Sequence, residues 1–119
     1  MEINDATSSF SALAQPTRLE ALRLLLRHEP EGLAAGELAR RLNVPHNTLS
    51  AHLAILGRAG WVSSHRESRS IIYRASPGHM QRVVAFLIGD CCNGDPALCA
   101  PLIDTLTTCS SPSTKEPTP

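Results

Sequence analysis

Two short amphipathic stretches joined by three residues constrain this chain more than any other feature. In "AAGELARRLNVPHNTLSAHLAILGRAGW", Leu38 and Leu42 stand four apart, "NVP" leaves almost no connection, and Leu49, Leu53 and Leu56 repeat at helical spacing. Gly57 and Gly60 bracket the end of the second stretch, where a left-handed residue can close a helix. Two short helices held by so brief a connection form a helix-turn-helix.

The flanking segments say what that motif is embedded in. Upstream, "DATSSFSALAQPTRLEALRLLL" carries apolar residues at helical spacing and is interrupted by Pro16. The expectation is a short helix, a break, and a second helix with Pro16 in its first turn and Leu19, Leu22, Leu25 and Leu26 on its buried face. Pro30 and Gly32 in "HEPEG" end it. Downstream, "WVSSHRESRSIIYRAS" predicts two strands, Trp61 to His65 and Ser70 to Arg74, around a connection centred on Glu67 and Ser68. After Pro77, the spacing of Met80, Val83, Val84, Leu87, Ile88 and Cys91 predicts a helix that runs into a cysteine cluster. "ALCAPLIDTL", broken by Pro101, reads as a short irregular helix, and "CSSPSTKEPTP" as a disordered tail. The chain thus divides into a domain over 1–106 and a tail over 107–119. The fold class expected is mostly α with a small β-hairpin, a winged helix-turn-helix.

With 119 residues and 42% of them hydrophobic, the chain can bury one modest core. No apolar run approaches the roughly 18 residues needed to span a bilayer, and "MEINDATSSF" has neither the basic start nor the apolar stretch of a signal peptide. A cytoplasmic protein with no membrane partner is expected. The formal net charge is zero, but it is unevenly spread. Residues 39–82 hold Arg40, Arg41, Arg58, Arg66, Arg69, Arg74 and Arg82 against Glu67 alone, while both ends are acidic. A basic middle points to a segment that meets a polyanion.

A helix that enters the major groove needs short polar side chains at its exposed start, able to approach base edges and phosphates. "HNTLSAHL" supplies His46, Asn47, Thr48, Ser50 and His52 around the buried Leu49 and Leu53. His52 reads equally well as a satisfied half-buried histidine. Arg66 and Arg69 in the hairpin tip are expected to reach phosphates or a minor groove. One such module has a small footprint. Double-stranded operator DNA is therefore expected to be bound by a homodimer reading two half-sites, with the outer helices as its interface.

The run "LSAHLAILGRAGWVSSHRESRSIIYRA", with the upstream "ALAQPTRLEALRLL", resembles the ArsR/SmtB family of metal-sensing repressors over about residues 8 to 88. "HL" followed by "AGWV", the wing arginine and tyrosine, and the early Pro-Thr-Arg fall in family order. "RESRSIIY" departs from it, since the family usually has Gly-Arg at the wing tip where this chain has Ser68. The resemblance implies a homodimeric repressor, not an enzyme, that leaves its operator when a metal or metalloid binds.

The resemblance also bears on the inducer. "AAGELARRL" lacks the cysteines of the best known arsenic site in the family, and no cysteine precedes residue 91 to make a cadmium or lead site in the helix-turn-helix. The last helix offers His79 and Asp90 where the zinc sensors place Asp, His and Glu. What remains is Cys91, Cys92 and Cys99, similar to the arsenic-responsive branch that carries thiolates at the end of the last helix. Chemistry agrees: As(III) or Sb(III) is soft and takes sulfur ligands. Adjacent cysteines on an intact helix point about 100° apart and converge only where the helix ends. "NGDP" is a turn that can fold Cys99 back toward the pair. A structural zinc site completed by Cys109 or a partner subunit, another thiophilic metal, and a disulfide switch with Cys99 stay open as alternatives. A thiol-dependent enzyme is the rival of another class, and a basic hairpin beside a helix-turn-helix gives it nothing to work with.

Overall fold

Pro16 splits the N-terminal apolar stretch as its chemistry requires. In the computed structural model, which describes residues 1–91 together with 100 and 101, α1 spans Ile3–Leu13 and α2 spans Pro16–Arg27. Pro16 takes the first turn of α2, where a missing N–H leaves no bond unmade. Gln15 caps that turn, its Oε1 accepting from the backbone N–H of Arg18 at 3.0 Å. A two-residue strand, β1 (Leu33–Ala34), leads into α3 (Ala35–Leu42), and α4 follows over His46–Arg58. The three residues between α3 and α4 are those expected. Asn43 closes α3 in the left-handed region at φ 57°, a conformation its short side chain tolerates, and Val44 N–H bonds the Ala39 carbonyl at 3.1 Å.

The hairpin is longer than its composition suggests. β2 covers Val62–Glu67 and β3 covers Ser70–Ala75, paired antiparallel from Val62 opposite Ala75 to Glu67 opposite Ser70. Its connection is therefore Ser68 and Arg69, one position beyond the centre read from the sequence, with Ser68 at φ 57°. β1 joins the other edge of β3 through Leu33 opposite Tyr73, giving a three-stranded sheet in the order β1-β3-β2. Two residues are too few to show an alternating pattern, so β1 escapes detection by periodicity. Gly57 lies inside the last turn of α4, and Gly60, at φ +95°, is the residue that turns the chain.

The first compact unit is Met1–Val83; α5 begins at Pro77 and continues to Cys91 within a second unit that starts at Val84. Ala100 and Pro101 are helical. The thiol side chains of Cys91, Cys92 and Cys99, the rest of the irregular helix expected over 97–106 and the tail from 107 lie outside the described residues. Among the described residues no helix is long and apolar enough to cross a membrane.

The core of the first unit is a leucine cluster closed by one aromatic. Leu25, Leu38, Leu49, Leu53 and Leu56 are buried, and Trp61 is 2% exposed. The Trp61 indole N–H donates to the Ser9 carbonyl of α1 at 2.8 Å, and its ring meets His79 of α5 edge-on, centroids 4.6 Å apart. His79, 7% exposed, is hydrogen-bonded through Nε2 to Ser9 Oγ at 2.9 Å. A Cβ on Gly60 would stand 2.9 Å from His79 Nδ1, so this corner requires glycine for space as well as for φ.

Burial, and then the neighbouring Arg82 guanidinium, hold the His79 imidazole below its ordinary pKa. The folded state therefore binds the His79 proton less readily than the unfolded chain does. Stability is fully present above the unfolded-state value and declines as the pH falls through the histidine range. Urea unfolding followed by the single tryptophan is expected to show lower stability at about pH 5 than at pH 8. His79→Gln should flatten that dependence, leaving the contribution of the other histidines.

Candidate nucleic-acid interface and thiol cluster

α4 presents two unlike faces. Leu49, Leu53 and Leu56 are buried, while His46, Asn47, Thr48 and Ser50 are exposed at its N-terminal half, as their spacing predicts. Proline at the N-cap gives the first turn no side-chain cap; Asn47 Oδ1 instead accepts from the Thr48 N–H at 2.9 Å. First-turn amides left without side-chain partners are disposed toward anions such as phosphate. His52 stands apart from this group. It is half-buried, and its Nδ1 faces Arg18 Nε of α2 at 3.2 Å.

The wing packs along the same helix. Leu53, Ala54, Gly57 and Arg58 of α4 form one side of a cleft of about 370 Å³, with Val62, Ser63, Ser64 and Tyr73 of the hairpin on the other. Tyr73 is half-buried and belongs to the scaffold. Arg66 lies on β2 opposite Ile71, and Arg69 in the two-residue turn; both are exposed. His65 Nε2 stands 3.5 Å from a Glu67 oxygen, an ion pair when the imidazole is protonated.

The basic middle of the chain is less basic than its count of arginines. Arg40 and Arg41 both bond Glu37 on the exposed face of α3, and these hydrogen bonds hold the Glu37 carboxyl at about 2. Arg74 bonds Glu29 at 2.8 Å, which fastens the loop after α2 to β3. Among the described residues, Arg58, Arg66, Arg69 and Arg82 have no carboxylate at ion-pair distance, and two of these four are the wing arginines singled out above.

Sequence patterns pointed to neither Arg18 nor the Ser9–Trp61–His79 contact. Arginine in the first turn of a helix reads as solvated charge, and its partner lies 34 positions away. The Pro-Thr-Arg run was the available signal. α5 includes Cys91, the first cysteine of the cluster, as its last described residue. Among the described residues no group of three or more His, Cys, Asp or Glu is placed to hold a metal ion.

A family model described as a helix-turn-helix domain matches residues 13–63. The transcriptional activator HlyU of Vibrio cholerae is 35% identical over 89 residues, covering 73% of this chain and 80% of that protein. The repressor SmtB of Mycobacterium tuberculosis is 38% identical over 84 residues, covering 70% of this chain and 60% of its own length. The chain is a member of the ArsR/SmtB family of winged-helix regulators. A solution structure of the homodimeric winged helix-turn-helix DNA-binding domain of a possible ArsR-family regulator from Mycobacterium bovis superposes with a TM-score of 0.60. It is 28% identical and covers 71% of this chain and 76% of that one. The ArsR/SmtB family consists of DNA-binding transcriptional regulators, not enzymes.

In this ArsR/SmtB chain the wing turn is as short as a hairpin permits, despite serine in place of the glycine the family usually carries. The strain falls on Ser68 itself, since a left-handed φ costs an L-residue about 1–2 kcal/mol. Ser68→Gly relieves it while enlarging the entropy of the unfolded chain by up to about 1 kcal/mol. A net gain of about 0.5 kcal/mol, or roughly 2–4 °C in Tm, is expected by circular dichroism. Ser68→Val should lower Tm instead.

Proposed function

We propose that this chain is a homodimeric transcriptional repressor whose operator complex is released by As(III) or Sb(III) bound through the thiolates of Cys91, Cys92 and Cys99. The observation that carries the DNA half is the exposed polar start of α4, on a helix whose C-terminal half packs against a wing whose two arginines have no carboxylate at ion-pair distance among the described residues. His46, Asn47, Thr48 and Ser50 approach base edges and phosphates, and Arg66 and Arg69 add the counterion-release part of the affinity. His52, half-buried, serves the helix from behind. Dimerisation accounts for apolar side chains left in water: Ile3 is 67% and Phe10 41% exposed on α1, and Leu87 48% exposed on α5. A two-fold pair of modules reads two half-sites one helical turn apart, which a single module cannot do.

The inducer half rests on the donor set and its place in the chain. Three thiols within nine residues offer soft ligands, and the first of them belongs to α5. Release requires that the metalloid bind the DNA-free form more tightly, by a coupling of typically about 1–3 kcal/mol. Capture that reorders the end of α5 supplies such a difference if α5 is part of the dimer contact.

Reduced protein is expected to bind a duplex spanning its own promoter and to lose that affinity on addition of arsenite. Cys91→Ser, Cys92→Ser and Cys99→Ser should each keep DNA binding and lose the response, and Cys109→Ser should change neither. Unchanged affinity in arsenite defeats the metalloid reading and leaves the DNA reading standing; release by peroxide alone reassigns the thiols to oxidation sensing. Asn47→Ala and Thr48→Ala are expected to weaken promoter binding by about 1 kcal/mol or more beyond their effect on a random duplex. Equal loss on both duplexes would place them on phosphates.

A further inference from the structure

Arg18 leaves the first turn of α2 in two directions. Its Nη1–H donates to the Ala12 carbonyl at 3.3 Å, and its Nε–H points at Nδ1 of His52 at 3.2 Å. Ala12 lies in the last turn of α1, and its carbonyl is one of those a helix end leaves without an intrahelical partner. The backbone of Arg18 is itself held, through its N–H, by the capping Gln15. One half-buried guanidinium thus touches the end of α1, the start of α2 and the middle of α4.

The chemistry of the pair fixes a proton. A guanidinium carries five N–H groups and no lone pair, so it can only donate. His52 Nδ1 must then hold the lone pair, and a neutral ring with a bare Nδ1 carries its proton on Nε2. The imidazole meets α2 with an acceptor and offers a donor from its other side. Along α4, His52 flanks the buried stripe of Leu49, Leu53 and Leu56, next to the exposed residues of the reading face. A hydrogen bond there resists rotation of α4 about its own axis, which the apolar stripe alone restrains less sharply.

We infer that Arg18 is the positioning residue of the reading helix: braced on the carbonyl end of α1, it holds His52 in the Nε2–H tautomer and sets the rotation of α4 against α2. The inference deepens, and rests on, the DNA-reading role proposed for α4. Its consequence is that discrimination between operator and random duplex depends on a guanidinium seated behind the reading face.

The test uses the full reduced chain as wild type, Arg18→Gln, Arg18→Lys, His52→Gln and the double variant Arg18→Gln/His52→Gln. Binding is measured to the promoter duplex and to a random duplex of equal length, with helical content checked by circular dichroism. Arg18→Gln and His52→Gln are each expected to reduce promoter affinity about tenfold, with little change on the random duplex. The double variant should lose no more than Arg18→Gln alone, because the contact with His52 is already gone there. Arg18→Lys, which cannot donate in two fixed directions, should fall in between. Long-range ¹⁵N correlation spectra should show His52 protonated at Nε2 in the wild type and a mixture of tautomers in Arg18→Gln. Multiplying losses in the double variant, or a wild-type His52 protonated at Nδ1, would overturn the inference. If the wild type fails to distinguish the two duplexes, the DNA reading of α4 is what fails, and the ring spectra still decide for or against the Arg18–His52 contact.

Discussion

The seating of Trp61 is the contact on which the first compact unit depends. It follows directly on the turn at Gly60 that ends α4 and precedes the first residue of the wing, and its indole reaches both α1, through the Ser9 carbonyl, and the His79 ring of α5. Truncating a buried tryptophan costs about 3–5 kcal/mol, comparable with the whole stability of a small domain. Here the loss would also remove the hydrogen bond to the Ser9 carbonyl and the edge-on contact with the His79 ring. α4, the wing and the first turns of α5 are thereby referred to one side chain, and Gly60 is the backbone condition that lets it sit there.

Two kinds of electrostatic contact hold the surface around that core. Glu37 with Arg40 and Arg41, and Glu29 with Arg74, satisfy cations within the chain and fasten local geometry. The wing arginines Arg66 and Arg69 do the opposite, with no carboxylate at ion-pair distance among the described residues. Three of the seven arginines in 39–82 are met within the chain, and two of the four left over are on the wing.

The elements that sequence made legible are those whose signal is local. Pro16 marks the start of α2, "NVP" marks the turn before α4, and Leu49, Leu53 and Leu56 mark the buried face of that helix. β1 was not legible because its two residues find their partners, Ile72 and Tyr73, about forty positions on. Gly57 and Gly60 looked alike as letters, but only backbone dihedrals show that the first is helical and the second turns the chain. The exposed polar side chains of α4 were legible because helix periodicity sorts faces. The Arg18–His52 bond was not, because periodicity assigns a residue to a face and says nothing of which neighbour waits there.

The pairing of Arg40 and Arg41 with Glu37 also bears on what an approaching polyanion would meet. A phosphate that nears either arginine finds a carboxylate already in place, held ionised down to about pH 2 by those same bonds. It must displace that carboxylate or share the guanidinium with it, so the cluster brings less net positive charge to the polyanion than two free arginines would. The number of ions liberated when this surface meets nucleic acid is thus smaller than its arginines suggest. Affinity drawn from the rest of the surface, from fitted hydrogen bonds and shape, is correspondingly less sensitive to the salt around it.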